Sequence, residues 1–245
     1  MSFTLRTSPI PASYTLDGHE LERCSQIRDL GVVLDSKLTF ARHVDVTVAK
    51  ANRMLGLLMR SMQSPKCPRL SRASHGAIMS AFNAHIRSVI QYASVIWSGA
   101  AVSHLVRLER LQHRFLMWLG ATTQRPCPPM DYNSLLNHFK TSSIRTLFTH
   151  TDITFMHSVF NNRFDSDQLV SLFGLNVPGR RSRHTGLFHE PFGRVNTVMN
   201  SPLARIPRVC NLLLQKNPSI DFFQPSASFR REALKYARSL SPYGG

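Results

Sequence analysis

The chain has 245 residues, 42% of them hydrophobic, which is enough for one large or two modest domains with a substantial core and excludes a disordered chain. No apolar run reaches the length of a membrane span. The net charge is +16, with 24 Arg and 6 Lys, and this Arg-rich balance favours a nucleic-acid partner over an anionic membrane surface, because Arg grips phosphate in a bidentate manner and stacks on bases.

The first 35 residues have the pattern of a small antiparallel β-sheet. Residues 14–21 form two alternating segments around Asp17-Gly18, a dipeptide that favours a hairpin because its tight turn needs positive φ at both central residues. Residues 27–34 form an apolar, β-rich run interrupted by Gly31, and this run predicts one buried strand. A sheet with so few strands is not stable by itself. We therefore expect this region to be part of a domain whose remainder is missing.

A helical pattern begins at Phe40 and predicts a mainly α chain with a small N-terminal β-hairpin or sheet. Predicted helices span residues 40–60, 71–97, 102–119, 131–139, 143–160, 166–173 and 229–240. Gly120 is expected to follow the third helix directly. A further helix should begin at Ser201-Pro202 and be interrupted at Pro207. The predicted division is a strand-rich segment 1–38, a helical segment 39–121, a Pro-rich linker 122–130 and a second helical segment 131–245.

Core positions are predicted from the apolar spacing of the two long helices that follow the first. The predicted inward residues of 71–97 are Ile78, Phe82, Ile86, Val89, Ala93 and Ile96. Those of 102–119 are Leu105, Leu108, Leu111, Phe115 and Leu119.

Basic residues recur on the side opposite the apolar face of two helices. In the first helix the apolar face is Val44, Val48, Ala51, Leu55 and Leu58. About two residues further on, or roughly 200° of helix, lie Lys50, Arg53 and Arg60. The outer side of the helix at 102–119 carries Arg107, Arg110 and Arg114, and the loop at 177–192 carries Arg180, Arg181 and Arg183. Each set is either a phosphate-binding surface or simply a solvated helix face or loop.

Residue patterns for catalysis or metal binding are not found in the sequence. No dinucleotide-binding glycine pattern, P-loop, HExxH or GxSxG occurs. The four cysteines, Cys24, Cys67, Cys127 and Cys210, lack zinc-ligand spacing. We therefore predict no catalytic residue, no metal ligand and no cofactor in this chain.

Eight short segments, taken in order, carry a resemblance to a known family. They are YTLDG at 14–18, DLGVVLD at 29–35, LTF at 38–40 with His43, ANRMLG at 51–56, QYASVIW at 91–97, LERLQHRF at 108–115, RVN at 194–196 and SPLAR at 201–205. This series resembles the C-terminal part of the reverse transcriptases of non-LTR (LINE-type, jockey-like) retrotransposons, from the end of the palm through the thumb. The resemblance covers nearly the whole chain.

The resemblance implies a division of labour along the chain. Residues 1–38 would be a palm remnant, with Leu30, Gly31 and Val32 in the primer grip, and residues 39–121 would be the thumb. The family's Tyr-x-Asp-Asp loop, which supplies metal-binding aspartates, is not in this sequence, so we expect no polymerase activity from the chain alone. Mg²⁺ is expected only for the full-length polymerase.

The partners implied by the resemblance are an RNA template, a DNA primer or duplex, and the missing fingers and palm of the polymerase. The resemblance also implies a nuclear or cytoplasmic ribonucleoprotein, and no membrane partner is expected. Two other interpretations stay open. The chain could be a stand-alone basic helical module that binds nucleic acid, or a helical protein-interaction domain whose charge is incidental. Salt-dependent nucleic-acid binding would separate the last from the other two.

Overall fold

The computed structural model describes residues 1, 3, 13–63, 75–123, 131–176 and 186–240. The strands are β1 (Thr15–Leu16), β2 (His19–Glu20), β3 (Gln26–Asp29) and β4 (Val32–Asp35). The helices are α1 (Ala41–Gln63), α2 (His75–Phe82), α3 (Ser88–Gln91), α4 (Ser94–Trp97), α5 (Val102–Thr123), α6 (Tyr132–His138), α7 (Ile144–Phe160), α8 (Asp167–Ser171), α9 (Asn196–Met199), α10 (Pro202–Lys216) and α11 (Ser226–Leu240). The prediction of a mainly α chain with small N-terminal β-hairpins is confirmed.

The strands form two separate antiparallel pairs, β1–β2 and β3–β4. The first hairpin turns at Asp17 and Gly18, which have φ of 49° and 79°, as the sequence predicts. The prediction of one buried strand at residues 27–34 is wrong. Leu30 and Gly31 have φ of 43° and 88° and form the turn of the second hairpin. Gly31 therefore makes a turn possible, since a residue without Cβ adopts positive φ at little cost.

The second hairpin is attached to the helices by a few specific contacts. Val32 is buried, and β4 packs against α1, whereas β3 is exposed along its length. The amide of Val33 donates a hydrogen bond to Nδ1 of His43 on α1, at 3.3 Å. At the tip, the hydroxyl of Tyr92 donates to the carbonyl oxygen of Leu30, at 2.7 Å. These contacts fix the hairpin on the helical body from one side only.

Asp35 organises the turn between β4 and α1. Its carboxylate accepts hydrogen bonds from the amides of Lys37, Thr39 and Phe40 and from the Thr39 hydroxyl, at 2.9 to 3.1 Å. Burial acts to raise the pKa of Asp35, but these hydrogen bonds outweigh it and the pKa is lowered. The carboxylate thus orders the turn that leads into α1, and the first amide of α1, that of Ala41, donates to the Thr39 hydroxyl at 3.3 Å.

The predicted helix at residues 71–97 is interrupted twice within the described part, 75–97. A π-helical turn spans Asn83–Arg87, and Tyr92 and Ala93 break the helix, with Ala93 at a φ of 50°. These irregularities shift the inward positions, so Ile90 and Trp97 are fully buried instead of the predicted Val89 and Ile96. Ile78, Phe82 and Ile86 are buried as predicted, and Ala93 is half-buried and packs against the core.

Two helices continue past residues that were expected to end or interrupt them. α5 passes through Gly120 to Thr123, and α10 passes through Pro207. In α10 the neighbours Ile206 and Cys210 are fully buried, and this packing holds the helix despite the missing amide hydrogen. The predicted inward residues of α5 are buried, apart from the half-buried Leu105.

The buried residues form two hydrophobic clusters that meet along α7. Helices α1, α2 and α5 build the first cluster, to which α7 contributes Ile144 and Phe148. Helices α10 and α11 build the second, to which α7 contributes Ile153, Met156 and Val159. A single helix therefore serves both cores, so neither can shift without displacing it.

Candidate nucleic-acid interface

Helices α1 and α5 lie side by side and run parallel. Arg107 of α5 forms an ion pair with Asp45 of α1 at 2.6 Å, and Nη2 of Arg114 donates to the side-chain oxygen of Asn52, also at 2.6 Å. The two contacts are seven residues apart on both helices and increase in the same direction, which requires parallel axes. We call this line of contacts the seam; it reaches the surface, because both members of the ion pair are more than a third exposed.

The basic residues predicted on α1 are exposed, and Arg53 and Arg60 lie within about 100° of the seam residue Asn52 around the helix, whereas Lys50 lies about 160° from it. Lys50, Arg53 and Arg60 all face solvent, and Arg53 directly follows the seam residue Asn52. The predicted apolar face is buried, except that Leu58 is half-buried. The separation of the two faces that the sequence predicts is therefore correct.

Sequence reasoning missed Arg42, which is also exposed on α1. It lies eleven residues before Arg53, a spacing that returns a helix to within about 20° of the same direction. Arg42 thus extends the basic row on α1 by about two turns beyond Lys50. The 42–53–60 spacing was available in the sequence as a signal.

The basic residues on α5 border the same seam. Arg110 and Arg114 are exposed and Arg107 is half-buried. We name the six residues Lys50, Arg53, Arg60, Arg107, Arg110 and Arg114 the α1–α5 surface. The structure therefore brings together two sets that the sequence could place only on separate helices. Asp45 is the sole acidic residue within α1, and it is neutralised by Arg107.

The remaining predicted site residues are not at this surface. Leu30 is 85% exposed at the hairpin tip, whereas Val32 is buried beneath it. A Cβ on Gly31 would lie 3.4 Å from the ring of Tyr92, an ordinary contact distance, so the positive φ of this residue favours glycine and lack of space does not. Arg180, Arg181 and Arg183 lie outside the described residues.

Several residues of the family-like segments turn out to be structural. Glu109 on α5 accepts hydrogen bonds from the amides of Ile144 and Arg145, at 3.2 and 2.8 Å, and from the Tyr132 hydroxyl. A carboxylate there caps the start of α7 and complements its dipole. One turn further, the fully buried Gln112 donates to the carbonyl of Ser142 at 2.9 Å.

Arg87 completes this interior network. Its Nη2 lies 3.1 Å from Oε1 of Gln112, 2.7 Å from the Thr141 hydroxyl and 3.3 Å from the Ser142 carbonyl. Burial lowers the pKa of Arg87 to about 10, with Tyr132 and Glu109 acting in the opposite direction. This arginine joins the π-helical turn to the start of α7 and is not placed to meet a ligand from solvent.

Arg205 links the two cores in a similar way. Its guanidinium binds Asp152 of α7 through Nε at 2.8 Å and Nη2 at 3.1 Å, and it also donates to the carbonyls of Val95 and Asn200. Burial raises the pKa of Asp152, and Arg205 opposes that rise. The SPLAR segment thus contributes a buried tether, which no sequence pattern indicated.

Within the described residues, no three His, Cys, Asp or Glu side chains are grouped so as to hold a metal ion. The same part of the chain has no helix with the length and apolar content needed to cross a membrane. A binding site in the described part of the chain therefore has to be sought in the charge and shape of the protein surface.

These observations define a mainly α-helical protein that carries a docked β-hairpin and a basic surface. Comparison with curated proteins finds 32% identity over 113 residues with the Probable RNA-directed DNA polymerase from transposon BS of Drosophila melanogaster. The aligned region is 46% of this chain and 12% of the fly protein. No protein-family profile matches the chain. No solved structure matches it. The resemblance to a transposon reverse transcriptase is confirmed by this relationship.

Proposed function

We propose that the chain is the C-terminal part of a non-LTR retrotransposon reverse transcriptase and that its α1–α5 surface holds the backbone of the template–primer duplex. One observation carries the proposal: two basic rows, on helices far apart in sequence, meet along one exposed seam. Phosphate contacts of this kind position a duplex without reading its sequence. RNA template and DNA primer are the partners that the proposal implies.

The surface suits phosphate binding energetically. An exposed ion pair such as Arg107–Asp45 contributes only about 0–1 kcal/mol, so Arg107 can exchange Asp45 for a phosphate at small cost. Arg53, Arg60 and Arg110 need no exchange, because no described residue pairs with their guanidinium groups. The binding energy is therefore not consumed in breaking strong internal contacts.

The hairpin tip is proposed as the part that meets the primer end. Leu30 and Gly31 project from the helical body, while Tyr92 and His43 hold the hairpin in place behind them. Val32 is buried and supports the tip without contacting a ligand. The chemistry of polymerisation is assigned to carboxylates and Mg²⁺ of a full-length polymerase, within a nuclear or cytoplasmic ribonucleoprotein.

The test is the affinity for a blunt duplex as a function of salt concentration. Each phosphate contact adds about 0.9 to the slope of log affinity against log salt. Replacing Lys50, Arg53 and Arg60 together by Gln, or Arg107, Arg110 and Arg114 together by Gln, should flatten the slope by roughly two to three units. Affinity should fall about equally for unrelated sequences.

The matched control removes the same charge elsewhere. Arg230, Arg231 and Lys235 are exposed on α11, and their joint replacement by Gln lowers the net charge by the same three units. The control should change the slope by less than about one unit, since these residues lie outside the proposed contact. If all three triple variants flatten the slope equally, binding follows net charge alone and the proposed surface is wrong.

A further inference from the structure

A large cleft lies on the molecule between the hairpin and the two cores. Its volume is about 880 Å³, within the range typical of small-ligand sites. The end of β4 and the following turn line one side, and the start of α5 lines another. α7, α9 and the start of α10 close the remainder. None of the predicted site residues lies in it.

Two long helices begin at this cleft without an anionic side chain. α5 starts at Val102 and α10 at Pro202, and neither has an acidic residue in its first turn. Ala101, before α5, has no side-chain acceptor, and Ser201, before α10, makes no capping hydrogen bond. Pro202 has no amide hydrogen, and the amides of His104 and Ala204 donate to the carbonyls of Ala101 and Ser201. The positive dipole ends of both helices nevertheless favour an anion in the cleft.

The charged side chains of the cleft agree with this polarity. Among its described lining residues, Asp152 is the single carboxylate, and Arg205 neutralises it. Arg145 is half-buried in the lining, and its guanidinium has no ion-pair or hydrogen-bond partner among the described residues. An unpaired cation therefore faces a space bordered by two helix N-termini.

Two buried polar atoms of the lining also have no partner within the described residues. Ser98 is only 7% exposed, and its hydroxyl makes no hydrogen bond. Nδ1 of His104, one turn into α5, is likewise buried and unpartnered. Buried polar groups are normally hydrogen-bonded, so the lack of partners for these two atoms indicates a polar ligand atom at this end of the cleft.

The rest of the lining is apolar and partly aromatic. Leu38, Phe40, Ile96 and Phe148 form walls against which a flat ring can pack. We propose that this cleft takes one unpaired nucleotide of a single strand, with its phosphate at Arg145 and the start of α5 and its base against the apolar walls. The inference rests on the proposed function and adds a second site, for single-stranded nucleic acid, to the duplex surface.

A nucleotide explains the cleft better than an acidic peptide segment does. The apolar walls and the anion-binding end lie within one space, as a base and its phosphate require, whereas an acidic side chain offers no ring. Stacking on aromatic groups is tolerant of base identity, which suits a polymerase that must accept any template. The net charge of +16 also favours a polyanionic strand.

The experiment measures the affinity of the whole chain for a single-stranded oligothymidylate of eight nucleotides and for a blunt duplex. Val102→Glu places a carboxylate at the start of α5, where it complements the helix dipole and leaves folding intact, since Val102 is well exposed. Single-strand affinity should fall at least about tenfold, because a like charge then meets the phosphate. Val102→Gln is the neutral control and should change affinity less than about twofold.

Arg145→Gln should also lower single-strand affinity by about tenfold, whereas Arg163→Gln, an exposed site outside the cleft, should not. A strand carrying 5-iodouracil should crosslink under light to a peptide that contains Phe40 or Phe148. Neither Val102→Glu nor Arg145→Gln should weaken binding of the blunt duplex.

The outcomes separate this proposal from the proposed function. Unchanged single-strand affinity in Val102→Glu overturns the cleft site, and the duplex surface stands if its triple variants still flatten the salt slope. Equal losses for single strand and duplex mean general electrostatics and also overturn the cleft site. Binding of an octaglutamate peptide that Val102→Glu abolishes, with single-strand affinity unchanged, would assign the cleft to a protein partner instead.

Discussion

Arginine has different roles in the interior of this protein and on its α1–α5 surface. In the interior, Arg87 and Arg205 each reach several acceptors on other elements and hold helices together. On the surface, Arg53, Arg60 and Arg110 extend into solvent. The sequence shows the same residue type in both places, so the high Arg content is only partly evidence for a nucleic-acid partner.

The family-like segments contain both kinds of residue. Glu109, Gln112 and Arg205 belong to those segments and are structural. Arg53, Arg110 and Arg114 also belong to them and lie on the α1–α5 surface, whereas Lys50, Arg60 and Arg107 lie outside them.

The sharpest comparison is between two Asp–Arg pairs of similar length, one buried and one exposed. Asp152→Ala removes the buried partner of Arg205 and leaves an uncompensated charge, so it should lower the free energy of unfolding by about 3–5 kcal/mol. Asp45→Ala removes the exposed partner of Arg107 and should cost about 0–1 kcal/mol. Denaturant unfolding of both variants measures the difference, and similar losses would show that burial does not distinguish the pairs.

Arg87→Met tests the interior network with side-chain volume nearly kept. It leaves Gln112 and Thr141 without their donor, and unpaired buried acceptors cost about 1–3 kcal/mol. Its surface counterpart, Arg110→Met, should change stability by less than about 0.5 kcal/mol. Urea unfolding measures both; a larger loss for Arg110→Met would mean that the surface arginine is structural.

The smallest expected effect is the dependence of the hairpin on pH. Burial, aided by Arg28, lowers the pKa of His43 below its ordinary value of 6.5, so the folded chain favours the neutral ring that accepts the Val33 hydrogen bond. Its contribution to stability is complete above pH 6.5 and is lost as the pH falls from 6.5 towards the folded-state pKa.

His43→Asn keeps an acceptor near the Nδ1 position but cannot be protonated in this range. Melting curves between pH 7.5 and 5.5 should therefore show a smaller loss of stability for the variant than for the parent chain. His150 and His157, whose pKa values are also lowered by burial, provide the background loss common to both. An identical pH dependence in the two chains would contradict the role given to His43.

The sequence by itself determined the features that depend on local spacing. The Asp17-Gly18 turn, the helical character from Phe40 onwards and the opposition of apolar and basic faces on α1 all follow from periods of two and 3.6 residues and from turn chemistry. The Ser143 cap of α7 is local for the same reason, since its hydroxyl accepts from the amide of Thr146, three residues away.

Only the tertiary structure decided the features that join residues far apart in the chain. The docking of the Leu30-Gly31 turn on Tyr92 joins residues far apart in the chain, and the path of α10 through Pro207 depends on burial of its neighbours. The pairing of Asp45 with Arg107 spans 62 positions, and that of Val95 with Arg205 spans 110. Periodicity gives the face on which a residue lies but not the element opposite that face. The meeting of two basic rows and the cleft at the start of α5 were therefore set by packing alone.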